Sequence, residues 1–75
     1  MDIKQIIGLR IRELRKAKSL SQEALANNAE IDRTYMASVE NGKRNISIIN
    51  LEKIIKALDI SIAEFFNTKV FGGLS

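Results

Sequence analysis

Apolar residues recur along this chain at helical spacing, with no sustained alternation of the kind a half-buried strand shows. Ile3, Ile6, Ile7, Ile11 and Leu14 fall on one stripe, which predicts helix 1 over about residues 2–17. Gly8 inside that stripe costs helix propensity and is expected where a neighbouring element packs close. Beyond helix 1 one start signal occurs four times: an apolar residue, a Ser or Asp, and a second apolar residue four positions after the polar one. The sets are Leu20-Ser21-Leu25, Ile31-Asp32-Met36, Ile46-Ser47-Leu51 and Ile60-Ser61-Phe65. In each, the polar residue can cap the free N–H groups of a helix start, and the apolar pair occupies the two staple positions around it. Glu64 stands where the fourth set would complete a reciprocal capping box.

Four starts after helix 1 predict an all-α, compact five-helix domain over residues 1–67, with residues 68–75 as a loose C-terminal tail ending in Gly72-Gly73. Gly42, after Glu40-Asn41, suits a left-handed stop to helix 3. Helix 4 is expected to bury Leu51, Ile54, Ile55 and Leu58. The alternation in Asn45-Ile46-Ser47-Ile48 is too short to stand as a strand and has no partner.

Composition narrows the chemistry. The 75 residues contain neither cysteine nor histidine, which excludes disulfides, zinc–thiolate sites, nucleophile–histidine pairs and histidine metal sites. No metal, no cofactor and no catalytic residues are expected, and the missing cysteines fit a reducing cytoplasm. The N-terminal MDIKQIIGLR lacks the apolar core of a signal peptide, and no apolar run approaches a membrane span. Lys and Arg number 12 against nine acids, for a net charge of +3. The excess lies in residues 10–44, with eight basic against five acidic side chains, whereas residues 51–75 hold three of each. Such a bias suits a polyanion, and an ordinary solvated helix face gives the same count.

The third predicted helix has two faces. At about 100° per residue, Tyr35, Met36 and Val39 share one side, and Arg33, Thr34, Ala37, Ser38 and Asn41 share the other. The second side offers a long cation, two hydroxyls and an amide around a small alanine. A reader of the DNA major groove needs that mix: an Arg to reach guanine O6 and N7, short polar groups and little bulk. A solvated helix face is the alternative. A short turn, Ala29–Ile31, joins helix 2 to this helix. Gln22 opens helix 2, where free N–H groups can meet a phosphate, and Lys43, Arg44 and Asn45 follow helix 3 as donors.

With these residues in place, residues 10–66 resemble the phage-repressor and Cro-like helix-turn-helix family, the lambda-repressor-like DNA-binding fold. The shared pattern is Ile11-Arg12-x-Leu14-Arg15, Leu20-Ser21-Gln22-Glu23-x-Leu25-Ala26, then Glu40-Asn41-Gly42-Lys43. The narrower strings Asp32-Arg33-Thr34-Tyr35 and Glu40-x-Gly42-x-Arg44-Asn45-Ile46-Ser47 resemble the controller proteins of restriction–modification systems. One departure is visible: Glu30 replaces a glycine usual in the interhelical turn.

The resemblance implies roles at matching positions. Arg33, Thr34 and Ser38 would face bases. Tyr35 would border the reading face and touch backbone or a thymine methyl. Gln22, Asn27, Lys43, Arg44 and Asn45 would hold phosphates. Arg15 and Glu40 match a pair joining helix 1 to helix 3, while Arg10, Arg12, Lys16 and Lys18 would form a solvated face of general attraction. Glu23 matches a position that some relatives use to touch RNA polymerase; a solvated charge is the plainer reading.

Ile62, Phe65, Phe66, Val70 and Phe71 crowd the C-terminal part; some of them cap the core, but so small a domain does not easily bury them all, and an exposed apolar patch would mark an interface. The family dimerises here, so Ile62, Phe65 and Phe66 are expected at a homodimer interface. A two-fold dimer places two recognition helices about 34 Å apart and requires a palindromic site. The reading is a dimeric, sequence-specific transcriptional regulator on a palindromic operator in double-stranded DNA, with no membrane partner. Its narrower form is the controller of a restriction–modification operon. The alternatives are a prophage Cro-like repressor, an antitoxin-type autoregulator, and a protein-interaction module of the same fold that binds no DNA.

Overall fold

Every start signal read from the sequence caps a helix. In the computed structural model, which describes residues 1–72, Ser21, Asp32, Ser47 and Ser61 each accept a hydrogen bond from the backbone N–H three residues on. The helices they open are α2 (Gln22–Asn28), α3 (Arg33–Glu40), α4 (Ile48–Ala57) and α5 (Ile62–Phe66). α1 (Ile3–Ala17) precedes them. Asp2 caps it with a reciprocal box: Asp2 Oδ1 accepts from Gln5 N, and Gln5 Oε1 accepts from Asp2 N, both at 3.0 Å. The reciprocal bond expected of Glu64 does not form; only Ser61 Oγ accepts there, from Glu64 N. A sixth element, the single turn α6 (Lys69–Gly72), exceeds the five helices expected and falls in the segment read as a tail. No strand occurs among the described residues.

The helix ends obey one rule that the sequence conceals. α1 to α4 all stop in the same two-bond motif. The residue after the cap turns left-handed and donates to the carbonyl three back; the next residue donates to the carbonyl five back. Ser19 (φ 57), Glu30 (φ 56), Gly42 (φ 72) and Asp59 (φ 59) take the left-handed position. The longer bonds run from Leu20 to Arg15, Ile31 to Ala26, Lys43 to Ser38 and Ile60 to Ile55. Leu20, Ile31 and Ile60 are also the staple residues that open the next helix, so a single apolar side chain closes one helix and starts another. All three pack against the core, as does Ile46.

That core joins Ile7, Ile11 and Leu14 of α1 to Leu25 and Ala26 of α2, Met36 and Val39 of α3, Ile54 and Ile55 of α4, and Phe65 of α5, with Ala29 and Leu58 from the helix ends. Burying each large side chain contributes about 1.5–3 kcal/mol. Ile3, although on the predicted stripe, is half exposed at the start of α1, and Leu51 is only partly buried. α3 lies between α1 and α2, and α4 packs on α2 and α5. At Gly8 the approach is closest: an added Cβ would stand 2.4 Å from the Val39 carbonyl oxygen and 2.7 Å from that of Glu40. The expected close packing is therefore against the end of α3, and it fixes how that helix sits on α1.

Candidate nucleic-acid interface

α3 is anchored by one side and open on the other. Met36 and Val39 are buried, and Tyr35 is half-buried against the core. Arg33, Thr34 and Asn41 are exposed, and Ala37 and Ser38 are half-exposed between them. The two faces are those of the helical wheel. The turn before α3 holds Glu30, where the family usually has a glycine, in the left-handed conformation, which strains the backbone there.

The C-terminal end of α3 is tied down by an internal charge cluster. The Glu40 side chain is fully buried, yet each oxygen has donors. Arg15 clamps it with Nε to Oε2 at 2.7 Å and Nη2 to Oε1 at 3.0 Å, and Gln22 Nε2 donates to Oε1 at 3.1 Å. Arg12 Nε lies 3.5 Å from the same oxygen, and its Nη2 donates to Asn41 Oδ1. The third arm of Arg15, Nη1, donates to the Leu20 carbonyl. The hydrogen bond to Glu40 raises the Arg15 pKa above the ordinary arginine value; burial opposes the shift and the Glu40 charge adds to it. The cluster links α1, α2 and α3, so the angle between the two helices of the motif is set by directional bonds as well as by packing.

Beyond α3, the loop carries the remaining donors. Gly42 lies against α1, where an added Cβ would sit 2.9 Å from Gln5 Cα. Lys43, Arg44 and Asn45 follow, all exposed. The Arg44 guanidinium stacks 4.8 Å from the centroid of the Tyr35 ring, which holds the loop cation against the edge of the outward face of α3. Arg33 Nη1 lies 3.1 Å from Glu23 Oε2, both side chains being largely exposed. Asn27 is exposed on α2.

Three placements of polar side chains differ from expectation. Arg12 is not a solvated charge: it joins the Glu40 cluster, and its Nη2 donates to Asn41 Oδ1. Gln22 directs its amide inward to Glu40, so at most its second N–H faces outward. Arg10 is not a solvated charge: its Nε donates to the Phe65 carbonyl at 2.7 Å, its Nη2 to the Glu64 carbonyl at 2.9 Å, and its Nη1 pairs with Glu13. It satisfies the C-terminal carbonyls of α5. Those residues lie 54 and 55 positions away in the chain, beyond any local sequence signal.

The C-terminal aromatics divide in the same way. Phe65 is 0% exposed and belongs to the core, so its side chain offers nothing to a partner, contrary to its expected place in an interface. Phe66 stays 39% exposed, packed edge-on to Phe65 and 4.9 Å from Phe71 between ring centroids. Ile62 and Val70 are exposed nearby in sequence. Ile48 and Ile49, at the start of α4, are also exposed.

An anchored helix with an open polar face, a tight turn from a preceding helix and flanking cations define the helix-turn-helix class. The Helix-turn-helix family model matches residues 11–65, and the chain belongs to that family. Within it the chain sits among the restriction–modification controller proteins. It is 51% identical over 67 residues to the control protein C.MunI of Mycoplasma sp, covering 88% of this chain and 90% of that one. The crystal structure of the controller protein C.AhdI from Aeromonas hydrophila is 49% identical, with a TM-score of 0.80 over 84% of this chain and 96% of that one. The C.Esp1396I tetramer, solved in complex with its natural 35 base-pair operator, is 32% identical, with a TM-score of 0.88 over 100% of this chain and 99% of that one.

Proposed function

We propose that this protein is a sequence-specific DNA-binding regulator that acts as a homodimer on a palindromic operator and controls a restriction–modification operon, its own gene included. One observation carries the reading: α3 presents Arg33, Thr34 and Ser38 outward while its other side is locked into the core. Arg33, at the first position of the helix, reaches guanine; Thr34 and Ser38 contact neighbouring base edges. Lys43, Arg44, Asn45, Asn27 and the free N–H of Gln22 hold phosphates and set the register, and Tyr35 positions Arg44 among them. Ile62 and Phe66 form the apolar part of the dimer contact. The protein works by binding rather than catalysis, in the cytoplasm where an operator is found. The resemblance to a chain solved on its operator supports this reading over a protein-interaction module, as does the localised basic excess.

The test is a titration of the full chain against its selected duplex and a scrambled duplex across a salt series. Specific binding should exceed non-specific binding by about 10³-fold or more, and both should weaken as salt rises. Equal affinity for the two duplexes would return the protein to the interaction-module reading.

A further inference from the structure

Glu23 and Arg33 meet across the helix-turn-helix, Nη1 to Oε2 at 3.1 Å, with 69% of the Arg33 and 58% of the Glu23 side chain exposed. Glu23 is the second residue of α2 and Arg33 the first of α3. Asp32, beside Arg33 in the chain, is committed elsewhere: its Oδ2 accepts from Tyr35 N and caps the helix. Glu23 is therefore the carboxylate that faces the guanidinium. An ion pair this exposed contributes little to stability, so its position at the head of the reading helix needs another account. The guanidinium is a planar fork of five donors. Glu23 approaches through Nη1, and among the described residues no acceptor takes Nε or Nη2. That free edge carries two parallel N–H groups, the arrangement that matches guanine O6 and N7. An arginine drawn to one side by a neighbouring carboxylate also loses less rotamer freedom when it binds, and the ion pair strengthens as DNA displaces water around it.

We infer that Glu23 is the positioning residue that gives Arg33 its base preference: its charge draws Nη1 to its own side, leaves the Nε–Nη2 edge for one guanine, and draws the cation away from phosphate. The inference rests on the reading of α3 as the base-contacting helix. It separates two effects of a carboxylate near DNA. A bare negative charge weakens binding to every sequence by one factor. A positioning carboxylate changes the ratio between sequences.

The experiment measures affinities of the native chain, Glu23→Gln, Arg33→Ala and the double variant for the selected operator and for duplexes in which each guanine is replaced in turn. For the native chain, replacing the guanine read by Arg33 should weaken binding by about 5- to 150-fold. Glu23→Gln should shrink that ratio by roughly threefold or more, with an unfolding midpoint equal to that of the native chain. In the Arg33→Ala background the same substitution should leave the ratios unchanged. A uniform shift on every duplex with the ratio intact would overturn the inference and leave Glu23 a simple repulsive charge. A reduced ratio that persists without Arg33 would overturn it too. If Arg33→Ala alone changes no ratio, the base-reading assignment of Arg33 fails first, and the two failures are told apart.

Discussion

Glu40 has no exposed side-chain surface, and three polar side chains converge on it. A carboxylate taken out of water is tolerable only with such partners, and removing one leaves charge behind rather than merely losing a contact. Arg15→Ala is expected to cost about 3 kcal/mol by chemical denaturation, toward the low end for a broken buried pair because Gln22 and Arg12 remain. The Arg15 pKa is raised in the fold, so its contribution is complete below the ordinary arginine value and is lost only as pH rises through the raised one. Between pH 5 and 9 the effect of Arg15→Ala on stability should therefore not change through arginine titration. Two backbone positions give predictions of opposite sign. Glu30 holds a left-handed conformation that disfavours side chains, so Glu30→Gly should stabilise by about 0.5–1 kcal/mol once the added freedom of the unfolded chain is subtracted. Gly8→Ala should destabilise by about 1–3 kcal/mol despite the helix propensity of alanine, because the Val39 carbonyl oxygen cannot yield as a flexible side chain would. Thermal unfolding of the two variants checks both signs, and a stabilised Gly8→Ala would contradict the packing of α1 on α3.

The helices show where sequence patterns suffice and where they do not. Starts were legible because a cap and two staple residues are local and chemically distinctive, and Ser21, Asp32, Ser47 and Ser61 all act as read. Stops were legible only at Gly42. Ser19, Glu30 and Asp59 do the same work without the residue type that advertises it. The outward face of α3 could be read from its period, since Met36 and Val39 fix the phase. The five residues of α5 could not separate Phe65 from Phe66, because so short a helix has no phase of its own. Nor could the destinations of Gln22 and Arg10, which depend on elements brought together only in the fold. The loop after α3 carries its own prediction. If Lys43 and Arg44 each neutralise a phosphate, replacing both by alanine should lower the slope of log affinity against log salt by about 2 units. An unchanged slope would place the phosphate contacts elsewhere.

At the scale of the whole molecule, two surfaces must work together. The proposed function puts the polar face of α3 on one half-site and the exposed apolar surface at Ile62 and Phe66 between two copies, so that both half-sites would be engaged. Arg10 ties α1, on which α3 packs, to the end of α5 through two carbonyls. A charge at the exposed Ile62 tests the assembly without opening the core: Ile62→Glu should shift sedimentation to the monomer, keep its helical circular dichroism and lose affinity for a two-half-site duplex. A dimer that survives would move the contact away from α5. Among the described residues no helix is long and apolar enough to cross a membrane.

The most direct test of the account is selection of binding sites from a random duplex library, run in parallel with the native chain and with Arg33→Ala. The account predicts an enriched palindrome with half-sites about one helical turn apart. It also predicts that Arg33→Ala returns the same palindrome with preference lost at one guanine in each half. No enriched motif for the native chain, or identical motifs for the two proteins, would contradict the claim that Arg33 at the head of α3 reads the operator.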